Sequence, residues 1–224
     1  MLDDTLVSRL EEGLPFWNNL TEEEKRNVAE KSQLLQFEKG MTVYRTDEKC
    51  MGVMLILGGQ IRAYVLSEDG REVTLYRLFA GDLCVLSASC VLDAVAFDVQ
   101  IEAVEQSRLI LIPIAYFKTL MEQNVYVELY TYKVSTERFS DVMWTLQQIL
   151  FMRTDQRLAV FLWDETAKSG KDTVCYTHEQ IARYIGSARE VVSRTLKYFE
   201  QEKAVSLSRG KIRILDRKKL RSYL

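Results

Sequence analysis

The stretch THEQIARYIGSAREVVSRTLKYFEQ, residues 177–201, decides the fold of the C-terminal part of this 224-residue chain. Its apolar residues recur with a helical period on both sides of Gly186. Thr177 followed by Gln180 forms a capping box that starts a first helix, and Ser187 is expected to cap a second one. Because glycine permits a tight turn, the pattern predicts two short helices joined in a helix-turn-helix.

A pair of strands is expected directly after these helices. The segment AVSLSRGKIRILD, residues 204–216, contains two strand-like runs on either side of Arg209–Gly210. Two short apolar runs around a glycine turn are typical of a β-hairpin. The C-terminal region is therefore predicted to be a winged helix-turn-helix.

Polar side chains occupy the face of the second helix opposite its apolar residues, at Arg189, Glu190, Ser193 and Arg194. Arginine can donate to O6 and N7 of guanine, and glutamate can accept from N4 of cytosine. A helix that contacted only phosphates would have no use for the glutamate, so the pattern favours base reading. The alternative is that Glu190 completes a capping box with Ser187 and that the arginines are solvated surface charges.

The charge of the chain divides unevenly along its length. Residues 1–152 hold 14 Lys and Arg against 23 Asp and Glu, a net charge of -9. Residues 153–224 hold 16 Lys and Arg against 9 Asp and Glu, a net charge of +7. This asymmetry indicates a basic C-terminal region with a polyanionic partner, attached to an acidic body.

The N-terminal half changes from a helical to a strand pattern. Residues 1–35 are expected to form short helices, one of them started by a capping box between Thr21 and Glu24. The following runs are rich in Val, Ile, Leu, Tyr and Phe with a period of two, and glycines interrupt them. Asp69–Gly70 between two such runs indicates a β-hairpin. The series of short strands predicts a small antiparallel barrel or roll.

A long segment without glycine or proline lies between Pro113 and Gly170. Its apolar residues alternate steps of three and four over about three heptads, as in a coiled coil. The helix either packs on its own roll or pairs with a second copy, and the narrow seam with polar neighbours favours a dimer. The predicted interface residues are Leu129, Tyr132, Thr136, Phe139, Met143, Leu146 and Leu150.

Helix and charge patterns together suggest the domain boundaries. Thr154 is expected to cap a helix that Gly170 ends, and the charge changes sign at the same place. The predicted domains are a sensor over residues 1–120, a dimerisation helix over 121–152 and a DNA-binding domain over 153–224.

The sequence also suggests where the protein is found. No stretch approaches the roughly 18 consecutive apolar residues of a membrane span. The acidic N-terminus lacks the basic region of a signal peptide. We therefore expect a cytoplasmic protein.

The stretch GSAREVVSRTL, residues 186–196, resembles the DNA-binding helices of the bacterial cyclic-AMP receptor protein and fumarate–nitrate regulator (Crp/Fnr) family. The family pattern, a glycine turn followed by R-E-x-x-x-R or E-x-x-S-R, matches at Gly186, Arg189, Glu190, Ser193 and Arg194. The runs FEKGMTVYR, LGGQIRAYVLSEDGREVTLYRLFAGD and SRGKIRIL also resemble family segments, in the same order. The resemblance implies an α+β protein with an N-terminal antiparallel β-roll that is cyclic-nucleotide-binding-like, a long dimerisation helix and a C-terminal winged helix-turn-helix.

The resemblance also implies roles and partners. It implies a dimeric transcription regulator that binds palindromic double-stranded DNA, contacts RNA polymerase and responds to a small-molecule or redox effector. Arg189, Glu190 and Arg194 would read bases. The remaining predicted contacts, at or beside phosphates, are Thr177, Glu179, Ser187, Ser193, Arg209 and Lys211.

The predicted sensor departs from the family at its ligand site. Cyclic-nucleotide-binding members carry a glutamate for the ribose and an Arg-Ser or Arg-Thr pair for the cyclic phosphate. Here no arginine lies between Arg77 and Arg108, and no glutamate lies between Glu72 and Glu102. A buried phosphate without a cationic or multi-donor partner is very costly, so we expect no cyclic-AMP binding in the family manner.

The effector and any cofactor stay unknown at this stage. Backbone amides of LSASC, residues 86–90, are candidates for holding a small anion. Cys84 and Cys90 are either a redox pair or small buried hydrophobic residues. The candidate effector residues are Cys84, Ser87, Ser89 and Cys90.

Two metal-dependent sensor types are less compatible with the sequence. Residues 1–49 contain no cysteine, so the N-terminal iron–sulfur cluster of some family members is not expected. The only histidine, His178, lies at the DNA-facing helix cap, which disfavours a histidine-ligated sensor haem and leaves haem ligation by cysteine or another residue open. A redox- or haem-responsive regulator of the same fold is therefore an alternative.

An enzyme on a cupin-like barrel with an accessory helix-turn-helix is the alternative from another class. A metal-dependent cupin needs several His or Glu ligands converging in its barrel. Residues 36–115 contain no histidine, and neither a G-x-S-x-G motif nor a Gly-rich phosphate loop occurs. The sequence therefore favours a regulator over an enzyme, and no metal site is predicted.

Overall fold

The structure is a computed structural model that describes residues 2–45, 51–68, 70–85 and 99–224. The chain divides into two compact units. The first consists of residues 1–66 and 75–142, and the second of residues 67–74 and 143–224. The boundaries at residues 120 and 152, which the sequence predicted between a sensor, a dimerisation helix and a DNA-binding domain, remain predictions.

Short helices begin the first unit, as the sequence predicted. Helix α1 spans Asp4–Gly13, a single 3₁₀ turn spans Trp17–Asn19, and α2 spans Glu22–Lys31. The capping box at the start of α2 is confirmed, because the Thr21 amide donates to Glu24 at 2.6 Å and the Glu24 amide donates to the Thr21 hydroxyl at 3.2 Å.

Two four-stranded antiparallel sheets form the roll of the first unit. One has the strand order β1-β8-β3-β6 and the other has the order β2-β7-β4-β5. Strands β4 and β5, on either side of the predicted Asp69–Gly70 turn, are neighbours in the second sheet, and Asp69 itself lies outside the described residues. The strands are β1 Gln33–Phe37, β2 Thr42–Arg45, β3 Gly52–Gly58, β4 Gln60–Leu66, β5 Glu72–Phe79, β6 Leu83–Cys84, β7 Gln100–Ala103 and β8 Ser107–Pro113.

Two apolar cores stabilise this unit. One core contains buried residues from both sheets, including Met54, Ile61 and Ile101. The other joins the N-terminal helices to the β3 and β8 side of the roll and to helix α3, Ile114–Gln123. The predicted antiparallel roll is therefore confirmed.

Helix α4, Val125–Phe151, is the long helix that the sequence predicted. Its Val127 and Val134 are buried in the helical core of the first unit. The predicted seam lies on its exposed surface, with Leu129 66% exposed and Phe139 65% exposed. Among the residues that the structure describes, the large apolar side chains of the seam are thus left exposed on α4.

The second unit continues with α5, Thr154–Ser169, and a winged helix-turn-helix. Thr154 is the first residue of α5 and Arg153 precedes it as the cap, so the expected cap at Thr154 is one residue too late. The remaining elements are β9 Thr173–Val174, α6 His178–Ile185, α7 Arg189–Gln201, β10 Val205–Ser208, β11 Lys211–Ile214 and α8 Arg217–Arg221.

Within the described ranges, none of the helices has both the length and the apolar character needed to cross a bilayer.

The glycine between β3 and β4 gives a sharp test of the roll. Gly59 has φ +84°, and a Cβ there would lie 2.4 Å from the Gln106 carbonyl oxygen. Gly40 has φ +82°, but no atom lies within 4 Å of its Cβ position. We expect Gly59→Ala to lower the free energy of unfolding by about 3 kcal/mol and Gly40→Ala by about 1 kcal/mol, since only the former adds a backbone clash to the strain of a positive φ.

Urea unfolding of both variants measures this difference. Equal losses for the two variants would contradict the close approach of the Gly59 turn to strand β8.

Candidate nucleic-acid interface

Helix α6 starts as the sequence predicted. The Thr177 amide donates to Oε1 of Gln180 at 2.9 Å, and the Gln180 amide donates to Oγ1 of Thr177 at 3.1 Å. The hydroxyl of Thr177 is thus engaged in the capping box while the residue itself is exposed. The same position can present the first turn of α6 to an anion, because amides at a helix N-terminus favour negative charge.

Gly186 ends α6 in the left-handed region, with φ +61°. The amides of Gly186 and Ser187 both donate to the carbonyl of Ala182. This arrangement closes the turn that the sequence predicted between the two helices.

The expected cap of the second helix is wrong by one residue. Helix α7 begins at Arg189, and its N-cap is Ala188, which has no side chain to cap with. Ser187 still takes part in the turn through its amide, so the chain needs one further extended residue before it can enter α7. The capping-box alternative for Glu190 required Ser187 at the N-cap and therefore loses its support.

Helix α7 has one buried face and one exposed face. Val192, Leu196 and Phe199 are buried in the core of the unit. Arg189, Glu190 and Arg194 are exposed, and Ser193 is half-buried. Because one side of the helix is held by the core, the charged side is presented outward in a defined orientation.

The wing is confirmed, and it has an additional strand. Strands β10 and β11 pair antiparallel around the turn at Arg209–Gly210. Strand β9, Thr173–Val174, pairs with β11 on its other side and was not predicted. Two residues are too few to show a strand period, although the burial of Val174 marks the position.

Most of the predicted site residues line grooves around α7. Thr177, Glu179, Arg189 and Lys211 share a groove between the start of α6 and the wing. Glu179 and Arg189 also line a second groove, together with Ser187 and Glu190. Arg194 faces a third groove on the α5 side, and Arg209 lies exposed at the tip of the wing.

In the groove beside the wing the cations Arg189 and Lys211 outnumber the single carboxylate, Glu179. His178 lies in the groove beside the wing, where burial and the charges of Arg189 and Lys197 lower its pKa. Glu179 is offset by Arg183, whose Nε lies 3.6 Å from its carboxylate. The negative charge of Glu179 is therefore partly neutralised by Arg183, which reduces its repulsion of a polyanion in the groove.

One residue important to this site escaped the sequence analysis. Arg157 of α5 is only 8% exposed, and its Nη1 donates to the carbonyl of Ile185 at 2.9 Å. Burial, together with the charge of Arg71, lowers the pKa of Arg157. The sequence did contain a signal for the burial of Arg157, because this arginine lies on the apolar face of α5, next to Leu158 and one turn before Phe161.

The candidate effector region is only partly described. Cys84 is buried on β6, opposite Met54 of β3. Ser87, Ser89 and Cys90 lie outside the described residues, as does the LSASC segment. Burial and the nearby Cys84 raise the pKa of Tyr76 well above its usual value.

Arg138 of α4 supplies a cation to the same part of the roll. It contacts the carboxylate of Asp141 at 2.8 Å and lies over the Tyr76 ring at 5.4 Å. Across the ranges that the structure describes, no group of three or more His, Cys, Asp or Glu side chains could hold a metal ion.

Two family models match this chain. The model of the Crp-like helix-turn-helix domain matches residues 156–223. The model of the cyclic nucleotide-binding domain matches residues 34–124. The matched ranges correspond to the winged helix-turn-helix and to the roll.

Individual relatives match over most of the chain. A solved structure from Eubacterium rectale, assigned to the Crp/Fnr family of transcriptional regulators, is 42% identical, with a TM-score of 0.87 over 94% of this chain and 98% of that one. The "Probable transcriptional regulator flp" of Lacticaseibacillus casei is 25% identical over 94% of this chain and 95% of its own length. FixK2 of Bradyrhizobium japonicum, at 17% identity and a TM-score of 0.70 over 86% of this chain and 96% of its own, shares the fold.

Proposed function

Because the chain belongs to the Crp/Fnr family of transcriptional regulators, we propose that it acts as a two-fold dimer that reads a palindromic DNA site with helix α7. The observation that carries this proposal is that α7 is buried on one side only. Val192, Leu196 and Phe199 hold the helix in the core, while Arg189, Glu190 and Arg194 are exposed.

The exposed set of α7 suits base edges better than phosphates. Arginine is complementary to O6 and N7 of guanine, and the Glu190 carboxylate is complementary to the N4 amino group of cytosine. A carboxylate is repelled by phosphates, so its place between two arginines favours entry into the major groove. A half-site such as TGTGA or TTGA, with G·C pairs, fits these three residues.

Phosphate contacts are assigned to the edges of the same surface. Thr177 and the backbone amide of Glu179 stand at the N-terminus of α6, and Arg209 and Lys211 stand on the wing. These positions flank α7 on the groove beside the wing, where a DNA backbone would pass. Such contacts add affinity and orientation without adding sequence preference.

A second copy of the chain is the proposed partner of the α4 seam. Six large apolar side chains of the predicted seam are between 43% and 66% exposed on this one helix. An apolar stripe of this width at coiled-coil spacing is stabilised by an identical helix. A two-fold dimer also places two α7 helices in successive major grooves, about 34 Å apart on one face of the DNA.

The effector of this regulator is proposed to differ from cyclic AMP. Neither lysine nor arginine occurs between Arg77 and Arg108, where cyclic-nucleotide-binding relatives place their phosphate partner. The match to the cyclic nucleotide-binding domain model supports the roll as the sensor, and the missing cation argues against that ligand. RNA polymerase is proposed as a protein partner on family membership alone, and a regulator is favoured over an enzyme on the same ground.

The dimer proposal predicts a linked loss of assembly and DNA binding. The double variant Phe139→Glu with Leu146→Glu places charge in the seam and should sediment as a monomer at micromolar concentration, with loss of specific DNA binding. Lys133→Glu is the matched control, because Lys133 is exposed on the same helix outside the seam. Analytical ultracentrifugation of the wild type as a clean monomer would refute the proposal.

The base-reading proposal predicts changes of sequence preference. Arg194→Ala should weaken binding by about 1–3 kcal/mol and relax the preference at one base pair, because a bidentate contact to guanine discriminates by that amount. Glu190→Ala should relax the preference at a cytosine more than it lowers total affinity, since removing the carboxylate also removes repulsion from phosphates.

Lys211→Ala is the matched control for these variants. It should weaken all DNA sequences alike and reduce the salt dependence of binding, as expected for a lost phosphate contact. Binding-site selection from random duplexes compares the variants directly. Identical motifs for wild type and Glu190→Ala would exclude a base-reading role for this glutamate.

The effector proposal predicts the absence of a thermal shift. A ligand at free concentration L that binds only the native state stabilises it by RT ln(1 + L/Kd), so the melting temperature rises with the logarithm of ligand concentration above Kd. Micromolar cyclic AMP should therefore leave the melting temperature of this protein unchanged. An increase that grows with cyclic-AMP concentration would show that the protein binds the nucleotide without the usual arginine.

A further inference from the structure

The C-terminal end of α6 needs hydrogen-bond donors from outside the helix. The last carbonyl groups of an α-helix have no amide partner within the helix, and buried carbonyls without partners are costly. In α6 the amides of Gly186 and Ser187 both bond to Ala182. The carbonyls of Arg183, Ile185 and Gly186 therefore depend on other donors.

Side chains supply all three donors. Arg157 of α5 donates to the carbonyl of Ile185, as described above. Thr74 donates from Oγ1 to the carbonyl of Arg183 at 3.1 Å. The guanidinium of Arg71 donates to the carbonyl of Gly186.

Two of these donors come from the segment 67–74, which belongs to the same compact unit as the winged helix. Hydrogen bonds join Ser67 and Arg71 within this segment. The Ser67 amide donates to the Arg71 carbonyl at 2.9 Å, and the Arg71 amide donates to Oγ of Ser67 at 3.0 Å. The Arg71 side chain is thus presented from a closed turn.

Further contacts hold this segment against the turn of the helix pair. A Cβ on Gly186 would lie 3.4 Å from Cγ2 of Val73, so the valine packs directly on the glycine. The carboxylate of Glu72 lies 3.8 Å from Nε of Arg183. In addition, Arg71 and Arg157 bring positive charge to the negative end of the α6 dipole.

The contacts reach the backbone of the turn and spare the face that would read DNA. Arg71 and Thr74 bond to carbonyl groups, while Arg189, Glu190 and Arg194 remain exposed. The Gly186 carbonyl is three residues before the first residue of α7. A donor that fixes this carbonyl restricts the direction in which α7 leaves the turn.

We propose that Arg71 and Thr74 are positioning residues for α7, which cap the C-terminal carbonyls of α6 from the segment 67–74 and so hold the recognition helix in its DNA-reading orientation. This inference rests on the proposed function of α7. It adds two residues, more than 100 positions away in sequence, to the determinants of DNA affinity.

The test combines isosteric and conservative variants of both residues. Thr74→Val removes the hydroxyl and keeps the shape, whereas Thr74→Ser keeps the hydroxyl. Arg71→Gln removes the charge, whereas Arg71→Lys keeps a charged donor. Each protein is studied as the full chain by thermal melting, by amide hydrogen exchange and by binding to a duplex selected by the wild type.

The Thr74→Val/Arg71→Gln double variant should melt as a folded protein and bind the selected duplex about tenfold more weakly. Amides of residues 186–192 should exchange faster, because the turn has lost two anchors. The base preference should stay the same, since the reading side chains are intact. Thr74→Ser and Arg71→Lys should restore both protection and affinity.

The slope of log affinity against log salt separates positioning from a direct phosphate contact by Arg71. Losing a phosphate contact reduces the magnitude of that slope by about one, whereas loss of positioning leaves it unchanged. A reduced slope, tighter binding, or unchanged affinity and exchange would overturn the proposal. If the wild type selects no motif, the proposed function fails, while the exchange measurement still decides whether the segment 67–74 holds the turn.

Discussion

The turn at Gly186 is the constraint on which the candidate site depends. Its positive φ reverses the chain within a few residues, so that α6 and α7 contribute to one core. With Val192, Leu196 and Phe199 buried, the helical period places Glu190 and Arg194 on the opposite face, and Arg189 is exposed as the first residue of α7. The chemistry of the interface is therefore a consequence of how the turn is closed and held.

Features governed by neighbours in sequence were predictable. The capping boxes at Thr21 and Thr177, the winged hairpin and the long helix depend on residue spacing, and the structure confirms each of them. The cap at Ser187 was wrong because the left-handed glycine is followed by one further residue that leaves the turn in an extended conformation. Local patterns suggest such a boundary only to within a residue or two.

Features governed by distant contacts were not predictable. Strand β9 forms because it pairs with the free edge of β11. Arg157 can be buried because its guanidinium donates to the carbonyl of Ile185. The strand pattern around Arg71 and Thr74 predicted a sensor hairpin. That pattern contains no information about the carbonyl groups to which the two side chains donate. The roles of the site residues in DNA binding likewise stay predictions from chemistry and family membership.

The separation of charge along the chain agrees with different roles for its acidic N-terminal part and its basic C-terminal part. We propose that the basic C-terminal part attracts DNA and that the acidic remainder limits nonspecific association. Selection of binding sites by the wild-type protein from random duplex DNA tests the central claim most directly. We expect an inverted repeat whose half-sites contain G·C pairs and are centred about one helical turn apart. Enrichment of a single unrepeated motif, or of no motif at all, would contradict it.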